Sequence, residues 1–159
     1  MRRFFTLVAV LVAMVALTGV AGADELFKAV LTGDQEVPPV TTDTTGRAFL
    51  LLNKDETAIE IQLFVSSGVR ITQSHIHCAA AGVNGPIVVF LAGLHAAGLD
   101  IDGKWVSNAV IKDSSIINTA CGATVAELAA SLRNGNAYVN VHSVANPSGV
   151  IRGQVVAAE

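Results

Sequence analysis

The chain has 159 residues, of which 10 are Lys or Arg and 13 are Asp or Glu, so its formal net charge is −3. Scattered, mildly acidic charge offers no basic surface for DNA, RNA or anionic lipid, and nucleic-acid partners are therefore not expected. A chain of this length can build one hydrophobic core but hardly two domains.

The first segment has the three parts of a secretory signal. Met1 is followed by two arginines, then by an uncharged apolar run, and the segment ends with small residues just before Asp24. This pattern predicts a signal peptide over residues 1–23, cleaved after Ala23, and a single domain over residues 24–159 that is secreted or periplasmic, with no membrane span after cleavage. An uncleaved anchor is the less favoured alternative, because the last third of the segment is Gly, Ala and Thr.

Short β-prone runs, bounded by Gly, Pro, Asn or Asp, dominate the rest of the chain. In the clearest run, Ile59, Ile61 and Leu63 alternate with polar residues, which predicts a half-buried strand. Such runs without βαβ repeats predict a mainly β fold, an antiparallel Greek-key-like sandwich or barrel of about eight strands with one short helix. The predicted strands cover residues 27–31, 47–52, 58–65, 74–78, 87–91, 104–111, 137–142 and 150–156.

The short helix is predicted over residues 125–134. Thr124 and Glu127 form a capping-box pattern, an apolar face follows at helical spacing, and Gly135 supplies a stop. We expect this helix to close one end of the sandwich.

The chain contains two cysteines, Cys78 and Cys121. In an exported protein an even count favours a disulfide, which would stabilise the fold by about 3–4 kcal/mol. The alternative is a metal-binding thiol beside His77, which would leave the second cysteine as an idle thiol exposed to oxidants.

Three of the four histidines lie in predicted strands. Alternation along Ser74-His75-Ile76-His77 places His75 and His77 on one face of their strand, and His142 takes the face opposite to the apolar valines of its own strand. If the two strands are neighbours, three imidazoles converge. Such a cluster suits copper or zinc far better than calcium or magnesium, and copper is the preferred metal.

The same residues have simpler explanations. A His-x-His pair can form a polar, solvated strand face without a metal, and His95, in a loop, either completes a fourth ligand position or has no role. Asp100 and Asp102 are weak evidence for calcium and are better explained as solvated loop charges. No motif typical of hydrolases is present, and Gly85 and Gly149 are first explained as turn residues.

Six segments of the chain carry a further signal: residues 31–40, Gly46-Arg47-Ala48, His75-Ile76-His77, residues 82–86, residues 132–142 and residues 146–154. Together these segments resemble the chordin-type (CHRD) domain. The resemblance implies an extracytoplasmic domain, found alone in microbes and in repeats in the animal antagonist chordin, without an assigned catalytic activity.

The two histidine-bearing strands are also similar to the copper-ligand strands of copper/zinc superoxide dismutase, a β-barrel with an intrasubunit disulfide. This similarity implies that His75, His77 and His142 are copper ligands. The zinc loop of that enzyme has no counterpart here, and Arg152 is the only arginine that could lie near the copper. Three functions therefore stay open: a copper-binding or zinc-binding protein, a metal-free structural or adhesive module that contacts an envelope or extracellular protein, and, ranked last, a redox enzyme.

Overall fold

The computed structural model describes residues 23–106 and 108–158. The predicted signal peptide, apart from Ala23, lies outside the described residues. The described residues form nine strands and one α-helix, so the predicted mainly β architecture with one short helix is confirmed. The strands are β1 (Glu25–Leu31), β2 (Thr45–Leu52), β3 (Ile59–Cys78), β4 (Ile87–Ala92), β5 (Leu99–Lys104), β6 (Val110–Ile111), β7 (Ala137–Ser143), β8 (Ile151–Gln154) and β9 (Val156–Ala157), and the helix is α1 (Val125–Arg133).

The strands pair in the order β8-β7-β3-β2-β1-β9, and β4, β5 and β6 also pair with β3. Every pairing is antiparallel. Beyond the end of β1, Thr32 and Arg152 exchange two backbone hydrogen bonds of 3.0 and 3.1 Å, which join this end to β8. The sheet is therefore nearly closed into a barrel.

The interior is filled by alternate residues of β1, β2 and the first half of β3. Leu50, for example, lies between Phe27 and Ile61 in the strand register, and all three side chains are buried. Each such side chain contributes about 1.5–3 kcal/mol by leaving water. The period of two in the sequence places these residues inside.

β3 differs from the sequence-based prediction, which gave two separate strands. It is one strand of 20 residues. Its pairing register with β5 and β7 shifts between Val65 and Gln73, which marks bulges, and within this stretch Ser67 and Arg70 have positive φ angles of 53° and 48°. Bulges bend a strand without ending it. The same strand therefore pairs with β2 near its start and with β7 near its end.

Three smaller predictions are corrected. The strand predicted over residues 104–111 was wrong in its middle, because β5 ends at Lys104 and β6 begins at Val110. The loop predicted around Asp100 and Asp102 is β5 itself, and the Asp100 carboxylate accepts a hydrogen bond from the backbone of Arg70 at 2.9 Å. The strand predicted over 150–156 is divided into β8 and β9.

α1 begins as predicted, with reciprocal hydrogen bonds between Thr124 and Glu127, and it ends at Arg133, one residue earlier than predicted. Its apolar face is buried. Just before α1, Cys121 is bonded to Cys78 at the end of β3, so the predicted disulfide is confirmed and neither thiol is free to bind a metal. Among the described residues, no helix combines the length and hydrophobicity needed to cross a membrane.

Candidate metal site

The site is built by the pairing of β3 with β7. His75 lies opposite Asn140, His77 opposite Tyr138, and His142 opposite Gln73. Opposite residues of an antiparallel pair project from the same face. All three histidines therefore share one face, as their strand phase predicted.

The three imidazoles lie close together and away from solvent. One nitrogen from each of His75, His77 and His142 lies within 4.8 Å of the other two. His75 Nδ1 is 3.0 Å from His142 Nε2. The exposed fractions of the three residues are 0%, 8% and 5%.

Backbone carbonyls determine which nitrogen of two rings carries the proton. His77 Nδ1 lies 2.9 Å from the Gly85 oxygen, and His142 Nδ1 lies 3.0 Å from the Pro147 oxygen. A carbonyl only accepts, so each Nδ1 donates its N–H and each Nε2 carries a lone pair. Metal-binding histidines are commonly held in this way.

Among the residues that the structure describes, two buried ring nitrogens have no hydrogen-bond partner, His75 Nε2 and His77 Nε2. Buried polar atoms in proteins are nearly always paired, so each of these needs an explanation. In the metal-free protein, His75 Nδ1 donates to His142 Nε2, and this leaves His75 Nε2 as an unprotonated nitrogen. His77 Nε2 carries a lone pair, and a metal ion bound there would be its missing partner.

Electrostatics keeps the cluster neutral. Burial lowers the pKa of His75 to about 3, and His142 and His77 act in the same direction. Burial likewise lowers the pKa of His142 to about 4, against a hydrogen bond to Pro147 that raises it. The pKa of His77 is also lowered, mainly by burial. Neutral imidazole is the form that binds metals. At neutral pH none of the three rings is cationic, so no ring has to release its extra proton to solvent before a metal binds.

An aromatic and cationic stack supports His77. The His77 ring lies parallel to the Tyr138 ring, with centroids 4.8 Å apart and 12° between the planes. The Arg152 guanidinium carbon lies over the Tyr138 ring, 3.5 Å from its centroid. Arg152 is 1% exposed. Arg152 was identified from the sequence as the arginine that could lie near the site, but its burial was not predicted.

A buried carboxyl, that of Glu36, contacts the Asn140 side chain on the histidine face of β7. Asn140 Nδ2 donates to Glu36 Oε1 at 2.6 Å and to the Ile151 carbonyl at 2.9 Å. Burial raises the pKa of Glu36 to about 7, although Asn140 and Arg152 both act to lower it. Gly149, with φ of 142°, packs against this pair, and a Cβ there would lie 2.6 Å from Glu36 Oε1. The sequence-based prediction missed Glu36, because no local pattern marks a contact 104 residues away.

One comparison with known proteins found a match. The sequence matches the model of the CHRD domain over residues 27–155. The chain belongs to the CHRD domain family. No curated protein and no solved structure matches it. A CHRD domain with a disulfide fits an extracellular or periplasmic module, and its histidine triad could hold a metal ion.

The remaining candidates of this CHRD domain lie elsewhere. His95 is exposed in its loop, with its ring centroid 6.3 Å from that of Trp105, and the structure does not bring it into the triad. Asp100 is likewise outside the triad. Gly85 serves close packing, because a Cβ there would lie 1.9 Å from the Cys78 carbonyl oxygen. That close approach brings the Gly85 carbonyl to His77.

Proposed function

We propose that this CHRD domain is an exported metal-binding protein that holds one copper ion through His75, His77 and His142, with zinc as the less favoured metal. The observation that carries the proposal is the convergence of three buried, neutral imidazoles on one sheet face. Export would follow from the predicted signal peptide over residues 1–23, and the confirmed disulfide supports an oxidising compartment.

The distances within the triad support a metal of this size. Copper and zinc bind histidine nitrogens at about 2.0–2.1 Å, so two ligands of one ion can lie no more than about 4.2 Å apart. The 3.0 Å between His75 Nδ1 and His142 Nε2 satisfies this limit. His75 would bind through Nδ1 after the proton on this nitrogen moves to Nε2 of the same ring. The widest separation in the triad, at most 4.8 Å, would need a side-chain adjustment smaller than one ångström to do so.

The chemistry of the donors supports copper. Imidazole nitrogen suits copper and zinc, whereas calcium and magnesium prefer oxygen ligands, and no carboxylate belongs to the triad in the described residues. Both cysteines are bonded to each other, so the site is without thiolate. At a site of given nitrogen ligands, Cu(II) binds more tightly than Zn(II). A bound copper ion would supply a redox-active centre or a store of the metal.

Calorimetric titration of the purified, chelator-treated protein with Cu(II) and, separately, with Zn(II) tests the proposal. We expect one equivalent of copper, tighter binding of copper than of zinc, and loss of binding in a His75→Ala/His77→Ala variant. His95→Ala is the matched control, because it removes an exposed imidazole outside the triad and should bind copper as the wild type does.

Two results would contradict the proposal: no copper uptake by the wild type, or equal uptake by the double variant. Uptake of neither copper nor zinc by the wild type would leave the metal-free structural or adhesive module as the remaining function, and equal uptake by the double variant would place the metal outside the triad. Elemental analysis of protein isolated from its own compartment then distinguishes copper from zinc.

A further inference from the structure

Arg152 is a buried cation that has no carboxylate partner at ion-pair distance among the described residues. In the described part of the chain, both ion pairs within 4.0 Å belong to Arg133, which meets Glu25 and Glu56 at the surface. Burying an unpaired charge is costly unless hydrogen bonds satisfy it. The hydrogen bonds of the Arg152 side chain therefore identify the groups that stabilise this buried charge.

Those contacts hold one loop, residues 79–86, which connects β3 to β4. The Arg152 guanidinium donates to the Ala80 carbonyl at 3.2 Å, to the Val83 carbonyl at 2.9 Å and to the Asn84 side-chain oxygen at 3.2 Å. A planar guanidinium with several fixed donors can bind three acceptors together, which a lysine ammonium matches poorly.

The same loop holds His77. The Gly85 carbonyl accepts from His77 Nδ1, and the Gly85 N–H donates to the Tyr138 hydroxyl at 3.2 Å. The Tyr138 ring in turn stacks against the His77 ring, and the Arg152 guanidinium lies over the Tyr138 ring. Arg152 thus reaches His77 along two routes, one through the loop and one through Tyr138.

We infer that Arg152 is a positioning residue for the metal: it holds the loop and Tyr138 so that His77 keeps its proton on Nδ1 and presents the Nε2 lone pair to the triad. The part of this inference that concerns metal affinity rests on the proposed function. The part that concerns the proton on His77 does not, because it is a property of the metal-free protein.

The first test is a double-mutant cycle on copper affinity. Loss of a residue that orients a ligand typically weakens metal binding about 10- to 100-fold, and we expect this for Arg152→Gln. In a His77→Ala background the same substitution should have no further effect, because Arg152 acts through His77. Arg47→Gln, which removes an exposed cation on β2, is the matched control and should bind copper as the wild type does.

The second test is nitrogen NMR of the histidine rings without metal. We expect one His77 tautomer, protonated at Nδ1, in the wild type and in Arg47→Gln, and a mixture of tautomers in Arg152→Gln. Should Arg152→Gln fail to fold, Arg152→Lys decides: a second tautomer supports the role, and a wild-type spectrum overturns it.

The outcomes separate the two proposals. If the wild type binds no copper, the proposed function fails, and the NMR result alone decides the role of Arg152. If Arg152→Gln leaves the His77 tautomer unchanged, or weakens copper binding equally with and without His77, Arg152 supports only the general stability of the fold and the inference is overturned.

Discussion

Lowering the pH should reduce the free energy of unfolding of the metal-free domain, because its buried histidines are harder to protonate in the folded state than in the unfolded chain. The folded-state pKa is about 3 for His75 and about 4 for His142, against an ordinary value of 6.5. The unfolded chain therefore binds a proton on each ring as the pH falls through 6.5, whereas the folded protein does not until the pH is near 4. The stability due to neutral burial is fully present above pH 6.5 and is lost as the pH falls.

The size of the effect follows from these pKa values. Between pH 7 and pH 5, each of the two histidines should remove up to about 2 kcal/mol from the free energy of unfolding. Glu36 acts in the opposite direction, because its folded pKa of about 7 lies above the ordinary value of 4.5. Its protonated form is favoured by folding, so Glu36 should add up to about 2 kcal/mol over the same interval. The net loss from these three groups is about 2 kcal/mol.

Urea denaturation with a chelator present, at pH 5, 6 and 7, measures this balance. Glu36→Gln removes the opposing contribution, so its loss of stability between pH 7 and pH 5 should rise to about 4 kcal/mol. His142→Gln should show a smaller loss than the wild type. The reasoning is refuted if the free energy of unfolding of Glu36→Gln depends on pH no more steeply than that of the wild type. It is also refuted if the free energy of unfolding of His142→Gln depends on pH more steeply than that of the wild type.

Two further predictions concern the parts of the fold that support the site. Replacing both Cys78 and Cys121 with serine should lower the free energy of unfolding by about 3–4 kcal/mol, because the disulfide closes a long loop, and unchanged urea denaturation would contradict this. Gly149→Ala should lower it by about 2–4 kcal/mol, because the new Cβ meets Glu36 at 2.6 Å where φ is 142°. Gly82→Ala is the control, since φ is 76° there and no described atom would lie within 4 Å of the new Cβ, and this variant should lose only about 1 kcal/mol. Equal losses in the two glycine variants would show that packing against Glu36 is unimportant.

The phase of the histidines could be predicted because side chains alternate along a strand. That rule places His75 with His77, and it places His142 opposite its valine neighbours, whatever the rest of the chain does. The capping box of α1 and the alternating core residues at the start of β3 were predictable because both patterns depend only on residues close in sequence.

The continuity of β3 could not be predicted from local patterns. Ser67, Gly68 and Arg70 interrupt the apolar alternation, and the predicted strands end at residue 65 and begin again at residue 74. In the structure they form bulges that other strands pair with and support. Pairing partners distant in sequence decide whether such a stretch is a bulge or a turn.

The sequence by itself determined which residues share a strand face, where the helix begins, and which two cysteines are available to pair, because each of these depends on local geometry or on a simple count. Only the tertiary structure decided that β3 and β7 are neighbours, that His75 and His142 lie 3.0 Å apart, and that Arg152 is buried against Tyr138. Those facts depend on strand register and barrel closure, which bring together residues far apart in the chain.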